Sequence, residues 1–192
     1  MRIAIVGGSF NPPHIGHMIL IEEILATGRY QRVLLIPAKT APHKVPQMDP
    51  GPEMRLALLE ASIEGWPKVA IEDCELKRTG LSYTSDTLEE LWDRKLFDEK
   101  PGLVIGDDLA PDFLATWKRA EKILELADII VAHRLYVENI PLPYPHDYLD
   151  NLVIPISSTL VRGRIHGGGA WRSLVMPSVR TIIENYGLYR NT

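Results

Sequence analysis

Short apolar runs alternate along the chain with longer segments in which apolar and polar residues mix. The apolar runs predict six β-strands, at Arg2–Val6, Arg32–Ile36, Lys68–Ile71, Leu103–Ile105, Ile129–Ala132 and Leu152–Ile154. Most of these runs are apolar at nearly every position, which is typical of parallel strands covered on both faces. The mixed segments predict six helices, at Ile15–Leu25, Glu53–Ile63, Asp86–Lys95, Trp117–Leu126, Ser158–His166 and Ser178–Tyr186.

This alternation predicts βαβ units and therefore an α/β fold with a doubly wound parallel sheet. No linker marks a boundary, so we expect residues 1–192 to form a single domain. Ligands of such sheets bind beyond the carboxyl ends of the strands. The loops of interest follow predicted strands, at Gly7–Pro13, Pro37–Gly51, Gly106–Asp108 and Pro155–Ser157. We interpret the proline-rich segment Glu138–Asp150 as an irregular, lid-like connection.

The composition narrows the classes of partner. Lys and Arg number 21 against 25 Asp and Glu, and the net charge of −4 argues against a broad nucleic-acid-binding surface. No apolar run reaches the ~18 residues that cross a bilayer. The single cysteine, Cys74, excludes an internal disulfide and fits a reducing compartment. We therefore expect a cytoplasmic protein that binds neither nucleic acid nor membrane, and the formation of a homo-oligomer stays open.

The strongest chemical signal is the segment G-G-S-F-N-P-P-H-I-G-H, from Gly7 to His17, directly after the first predicted strand. A glycine turn that opens a helix presents free N–H groups and the positive end of the helix dipole, which together favour a phosphate. His14 and His17 share a helix face and add side-chain donors. Neither G-x-G-x-x-G nor the Walker pattern is present. A metal site is one alternative, but zinc would need further ligands. A second alternative is that both histidines are polar residues at a helix start with no role. Two histidines behind a glycine turn favour phosphate, so we predict a nucleotide phosphate and no metal site.

Further polar residues follow other predicted strands. Lys44 is either a solvated loop residue or a second cation for phosphates. Ser157, Ser158 and Arg162 form either a helix cap or a second anion site suited to the far end of a triphosphate. Asp108 is a candidate for holding ribose hydroxyls or a metal, or for capping a helix.

Tyr83 and Thr84 precede a predicted helix and offer either N–H groups for a carboxylate or an ordinary cap. No Ser–His–Asp or Cys–His arrangement is evident in the sequence. Two anion sites on one sheet without a dedicated nucleophile favour a reaction between two bound substrates. Nucleotidyl transfer fits, because positioning and charge stabilisation do most of its chemistry.

The segment from Gly7 to His17 resembles the H-x-G-H motif of the nucleotidylyltransferase superfamily, and in full it is similar to that of bacterial nicotinate-nucleotide adenylyltransferases. Further matches run along nearly the whole chain. They are Pro42-His43-Lys44, Arg55-Leu56-Ala57, Ser82-Tyr83-Thr84 with Thr87-Leu88, Gly106-Asp107-Asp108, Ile156–Arg162 and Gly187-Leu188-Tyr189. Several motifs in order make the resemblance specific, whereas H-x-G-H alone would indicate only the superfamily.

The resemblance implies a Rossmann-like nucleotidylyltransferase fold. It also implies adenylyl transfer from ATP, accompanied by Mg2+, to nicotinate mononucleotide, giving deamido-NAD and pyrophosphate. The implied catalytic residues are His14, His17, Lys44 and Arg162. The implied ATP contacts are Gly8, Ser9, Phe10, His14, His17, Asp108, Ser157, Ser158 and Arg162. The implied contacts to nicotinate mononucleotide are Asn11, Lys44, Tyr83, Thr84 and Trp117, the last of which stacks on the pyridine ring.

The chain departs from the family pattern at three places. Ala41 replaces the first proline of P-P-H-K, and the interval from Asp108 to Trp117 is one residue longer. Arg134-Leu135-Tyr136 replaces Arg-Pro-Gly, which leaves the role of segment 134–151 open. Two alternatives remain, namely another adenylyltransferase of the superfamily, such as pantetheine-phosphate adenylyltransferase, and a non-catalytic nucleotide-binding module.

Overall fold

The protein, as a computed structural model that describes residues 1–39, 48–135 and 138–190, is built on a six-stranded parallel sheet. The strands are β1 (Ile3–Gly8), β2 (Arg32–Pro37), β3 (Val69–Ile71), β4 (Gly102–Gly106), β5 (Asp128–Ala132) and β6 (Asp147–Leu149). Their order is β3-β2-β1-β4-β5-β6, so the chain winds outward from β1 to one edge and then from β4 to the other. This arrangement confirms the predicted doubly wound α/β fold.

Helices connect the strands and cover both faces of the sheet. They are α1 (Ile15–Ala26), α2 (Pro52–Ser62), α3 (Cys74–Lys77), α4 (Thr84–Asp93), α5 (Phe113–Thr116), α6 (Ala120–Leu126), α7 (Ser158–His166) and α8 (Pro177–Tyr186), with a short 3-10 turn at Arg172–Leu174. None of the helices in the described part of the chain is long and apolar enough to span a membrane.

Successive residues of β1 pack on opposite faces of the sheet. Ile3 and Ile5 belong to a buried cluster with residues of α4 and α6, whereas Ala4 and Val6 belong to a second cluster with residues of α1. A strand covered on both faces needs apolar residues at consecutive positions, and this explains why continuous apolar runs predicted the central strands well.

A third buried cluster ties the end of the chain to α2. It contains Leu58 of α2, Val161 of α7, Ile183 of α8 and Tyr189, which lies just beyond α8. This packing holds α7, α8 and Tyr189 against α2.

The sixth strand is Asp147–Leu149, and the prediction of a strand at Leu152–Ile154 was wrong. Asn151 explains the difference, because its side chain takes the place of a further strand residue. Its Oδ1 accepts a hydrogen bond from the N–H of His133 at 2.8 Å, and its Nδ2 donates to the His133 carbonyl at 3.0 Å. These bonds occupy the backbone next to β5. The segment Glu138–Asp150 is therefore not a wholly irregular connection, since it contains the edge strand.

The predicted helix Trp117–Leu126 is interrupted. Phe113–Thr116 forms the short α5, Trp117 has an extended backbone, and α6 begins only at Ala120. Arg119, at φ 56°, occupies the left-handed region between them. This break lets Trp117 leave the helix axis of α6.

Candidate active site

The carboxyl ends of β1, β4 and β5 converge on one candidate site. β1 extends through Gly7 and Gly8, which the sequence analysis had placed in the loop, and the turn Ser9–Pro13 follows it. Asp107 and Asp108 follow β4, and Arg134 closely follows β5. Because the chain winds in opposite directions from β1 and β4, a crevice forms between their ends, as is typical of doubly wound sheets.

Phe10 shapes the turn after β1. It is 1% exposed and has φ 45°, a left-handed conformation that a bulky residue adopts only when the surrounding structure holds it. Its ring lies against Gly8, where an added Cβ would stand 3.3 Å from Phe10 Cζ. The same ring contacts His17, with centroids 5.1 Å apart. Phe10 therefore supports both the glycine turn and a histidine of the site.

His14 and His17 lie together at the start of α1, as the sequence predicts. Their ring centroids are 3.7 Å apart, and Nδ1 of His17 accepts a hydrogen bond from the backbone N–H of His14 at 3.1 Å. An imidazole nitrogen that accepts carries no proton, so neutral His17 holds its proton on Nε2. His17 is thus fixed in the tautomer that can donate from Nε2.

Both histidines are neutral near pH 7. Burial lowers the pKa of His14 from 6.5 to about 4, and the charge of Arg134 contributes in the same direction. Burial, followed by the charges of His14 and Arg134, lowers the pKa of His17 well below its usual value. Within the described residues, Nδ1 of His14 is buried without a hydrogen-bond partner. A phosphate at this position would meet neutral N–H donors and the guanidinium of Arg134.

Arg134 is a candidate residue that the sequence analysis did not assign to the site. Its Nη1 donates to Oδ2 of Asp108 at 2.9 Å, and its charge acts on both histidines. Glycine at position 106 leaves room for the pair, because a Cβ there would lie 2.2 Å from Asp108 Oδ1 and 2.5 Å from Arg134 Cδ, so that both side chains would have to move. The signal was available in the sequence, since Arg134 closely follows an apolar strand that ends at the same edge of the sheet.

The amino-terminal end of α7 joins the turn after β1. Ser158 Oγ donates to the Pro12 carbonyl at 2.8 Å, and Nη1 of Arg162 donates to the Asn11 carbonyl at 2.7 Å. Ser157 is the N-cap of α7, since its Oγ accepts from the Leu160 N–H at 3.1 Å. The structure therefore brings these predicted residues to the histidine site, with Ser157 in a capping position.

Arg55 of α2 is a further side chain that the sequence did not place at the site. It is 1% exposed, and Nη1 donates to the carbonyls of Ser9 at 2.9 Å and Ala38 at 2.6 Å. Nη2 donates to the Lys39 carbonyl at 2.8 Å, and Nε lies 3.2 Å from Oδ1 of Asp49. One buried guanidinium thus ties the turn after β1 to the loop after β2.

Tyr83, Thr84 and Trp117, which the sequence analysis predicts to contact a second substrate, lie near the start of α4 and make up the predicted second part of the site. Tyr83 occupies the N-cap position, Thr84 is the first helical residue, and the amino group of Lys118 lies 4.1 Å from the centre of the Tyr83 ring. The neighbouring Trp117 is half-buried and packs on Phe113, with ring centroids 5.3 Å apart. The first N–H groups of a helix lack partners within the helix, so α4 can receive a carboxylate beside an aromatic ring.

Lys44 lies outside the described residues. Among residues 1–39, 48–135 and 138–190, no cluster of three or more His, Cys, Asp or Glu side chains could hold a metal ion.

Comparison with known proteins places this geometry in a family context. Residues 5–164 match the family model described as cytidylyltransferase-like. A Borrelia garinii protein described as a probable nicotinate-nucleotide adenylyltransferase is 39% identical over 98% of this chain and 95% of its own length. A Geobacillus thermodenitrificans protein with the same description is 36% identical over 98% of this chain and 86% of its own.

Solved structures give the same picture. A Vibrio parahaemolyticus protein described as a candidate nicotinate-nucleotide adenylyltransferase superposes with a TM-score of 0.72 at 26% identity, covering 100% of this chain and 98% of its own. Plasmodium falciparum nicotinic acid mononucleotide adenylyltransferase complexed with NaAD superposes with a TM-score of 0.79 over 98% of this chain and 97% of its own. At 20% identity, the second similarity bears on the fold alone.

Proposed function

The chain belongs to the nicotinate-nucleotide adenylyltransferase family within the cytidylyltransferase-like proteins, and from this premise we propose that it transfers the adenylyl group of ATP to nicotinate mononucleotide. The products are deamido-NAD and pyrophosphate, which places the enzyme in NAD biosynthesis. One observation carries the proposal at the level of chemistry. Two neutral histidines at a helix start face the same crevice as Arg134 and the first turn of α7.

The bond changes of this reaction need no covalent enzyme intermediate. A phosphate oxygen of nicotinate mononucleotide attacks the α-phosphorus of ATP in line, and the bond from that phosphorus to the bridging oxygen of the β-phosphate breaks. The electron pair leaves with pyrophosphate. The protein contributes by aligning the two substrates and by stabilising the charge that moves toward the leaving group.

We assign the phosphates of ATP to the turn after β1 and to α7. His17 would donate from Nε2 to an oxygen that gains charge in the transition state, and His14 would bind the same phosphate chain. The backbone N–H of Ser158 and the side chain of Arg162 would hold its β/γ end. The Ser158 hydroxyl is already bound to the Pro12 carbonyl, whereas Arg162 keeps donors beyond those bound to the Asn11 carbonyl and to Thr159 Oγ1. The other ATP contacts in this proposal are Gly8, Ser9, Phe10 and Ser157, with Asp108 on the ribose.

We assign nicotinate mononucleotide to the second part of the site. The N–H groups around Tyr83 and Thr84 would receive the pyridine carboxylate, because the start of α4 favours a negative group. Trp117 would stack on the ring, and Asn11 and Lys44 would contact the phosphate. The start of a helix attracts the negative carboxylate of nicotinate but not the neutral amide of nicotinamide. This difference gives a physical basis for selecting nicotinate mononucleotide.

Mg2+ enters this proposal as part of the substrate, bound to the phosphates of ATP. Its role there is to neutralise phosphate charge, while the histidines and Arg162 act on the oxygens of the reacting phosphates. The free, buried thiol of Cys74 fits the cytoplasmic location that the sequence predicts.

Pyrophosphate release tests the proposed function. The purified protein is supplied with Mg-ATP and, in parallel, with nicotinate mononucleotide, nicotinamide mononucleotide or phosphopantetheine. A variant that carries both His14→Ala and His17→Ala, purified identically, controls for contaminating enzymes. We expect release with nicotinate mononucleotide and a product with the mass of deamido-NAD.

The other outcomes contradict different parts of the proposal. Equal use of both mononucleotides would refute selection at the start of α4 but would keep adenylyl transfer. Release with phosphopantetheine alone would indicate a different adenylyltransferase. The absence of pyrophosphate release with all three acceptors would refute the proposed reaction and favour a non-catalytic nucleotide-binding module.

A further inference from the structure

A hydrogen bond joins the last described turn of the chain to the phosphate-binding turn. The hydroxyl of Tyr189 donates to Oδ1 of Asn11 at 2.7 Å, across 178 positions of sequence. Both side chains are 6% exposed. A polar contact that is sealed from water and made over such a distance fixes the orientation of both groups.

The bond determines which end of the Asn11 amide remains available. An amide oxygen only accepts and an amide nitrogen only donates, so Oδ1 is used by Tyr189 while Nδ2 keeps its two protons. Nδ2 makes no hydrogen bond to another described residue, and this nitrogen is accessible rather than sealed inside the protein. The amide nitrogen of Asn11 is therefore a free donor within the turn.

The backbone of Asn11 is held as firmly as its side chain. Its carbonyl accepts from Nη1 of Arg162 at 2.7 Å, which leaves the residue fixed at both ends. Burial raises the pKa of Tyr189 above its usual value, so the hydroxyl keeps its proton, and its role as donor, at any pH of assay.

We infer that Tyr189 is a positioning residue for catalysis, which orients the Asn11 amide so that its N–H groups face a phosphate of the bound substrates. The inference rests on the proposed function and adds to it a residue outside the crevice. Tyr189 itself does not touch substrate, and it acts through Asn11. The position of α8 and the chain end thereby becomes part of the geometry of the active site.

The test must separate this role from simple packing, because the Tyr189 ring also belongs to the cluster with Leu58 and Ile183. Tyr189→Phe removes only the hydroxyl and keeps the ring. Tyr186→Phe is a matched control, since Tyr186 lies on the same helix end and is 67% exposed. Steady-state kinetics are measured for each variant against nicotinate mononucleotide and ATP in turn, with thermal unfolding alongside.

We expect Tyr189→Phe to raise the KM for nicotinate mononucleotide by about 2–10-fold, which corresponds to one neutral hydrogen bond. We expect a smaller change in kcat, and Tyr186→Phe should match the wild type. A lower kcat with both KM values unchanged, accompanied by a lowered melting temperature, would show only a loss of folded enzyme and would refute a specific role. Wild-type kinetics in Tyr189→Phe would overturn the inference while leaving the proposed function intact.

A double-mutant cycle shows whether Tyr189 acts through Asn11. Tyr189→Phe introduced into Asn11→Ala should have no further effect on KM, because the amide to be oriented is gone. Additive effects would refute the coupling. Asn11→Asp serves as a second variant that preserves the acceptor for Tyr189 but removes the N–H donors, and it should raise the KM for the mononucleotide at least tenfold. Near-normal KM in that variant would overturn the inference. Inactivity of the wild type with every acceptor would instead refute the proposed function, and the inference with it.

Discussion

Lowering the pH should destabilise the folded protein through His14. The unfolded chain binds a proton at this histidine near its ordinary pKa of 6.5, whereas the folded protein resists protonation until about pH 4. Between these values the unfolded state holds more protons, so the free energy of unfolding decreases as the pH falls. The stability that the protein owes to neutral His14 is fully present above pH 6.5, and it is lost as the pH falls toward 4.

The size of the effect follows from the two pKa values. Linkage gives a loss of about 2 kcal/mol between about pH 7.5 and pH 5 from His14 alone, and this residue is buried enough that solvent screening removes little of it. His17 adds a loss of the same sign, because its pKa is also lowered. The physical cause is that a cation at this position would be buried beside Arg134.

Urea unfolding at several pH values measures this effect. His14→Gln removes the titrating ring. Between about pH 7.5 and pH 5, the free energy of unfolding of this variant should therefore fall by about 2 kcal/mol less than that of the wild type. His166→Gln, at an exposed position at the end of α7, is the control and should follow the wild type. If His14→Gln shows the same dependence on pH as the wild type, His14 does not resist protonation in the folded state, and the description of a neutral histidine pair is wrong.

Four further predictions concern the site and the fold. His17→Ala should lower kcat by roughly 10²–10³, the scale for the loss of a donor aimed at developing charge, and near-normal turnover would remove His17 from the mechanism. Trp117→Ala should raise the KM for nicotinate mononucleotide and leave the KM for ATP nearly unchanged. A raised KM for ATP instead would show that the ring belongs to the ATP subsite. Gly102→Ala should lower the free energy of unfolding by about 1–3 kcal/mol, because its Cβ would lie 2.5 Å from Ile130 Cδ1 and 2.6 Å from the Tyr30 hydroxyl oxygen. Gly163→Ala, in α7 with open space around the new methyl group, should instead stabilise the protein by up to ~1 kcal/mol, and urea unfolding of the two variants distinguishes crowding from a general effect of replacing glycine.

The sequence predicted the elements whose contacts are regular or local. Central strands need apolar residues on both faces, so their runs were evident, and the pair His14 and His17 lies within one turn of helix. The edge strand Asp147–Leu149 was missed because only Leu149 of its three residues is buried, so no apolar run marks it. The opposite edge strand, Val69–Ile71, is equally short but wholly apolar, and it was predicted. Its end is fixed by the Asn151 side chain, and no periodic pattern reports such a contact.

Residues that act through distant partners could not be predicted in the same way. Arg55 lies 46 positions from the Ser9 carbonyl that it binds, and Arg162 lies 151 positions from that of Asn11. Arg162 was nevertheless predicted to bind an anion, because a cation near a helix start after a strand suggests that chemistry. Arg55 lies within α2, where an arginine is ordinarily exposed, so its burial became evident only from the fold.

These long-range contacts bear on the proposed binding of a phosphate by the turn after β1. Each residue of the turn has a carbonyl that repels an anion, and each except Pro12 and Pro13 also has an N–H group that attracts one. Three carbonyls of the turn are bound by donors from α2 and α7, in the pairs Ser9 with Arg55, Asn11 with Arg162, and Pro12 with Ser158. A donor bound to one of these carbonyl oxygens offsets its partial negative charge, so the oxygen repels an incoming phosphate less. In the proposed site, the N–H groups and the histidines would therefore attract the phosphate, while donors from α2 and α7 would offset the repulsion by the carbonyl oxygens.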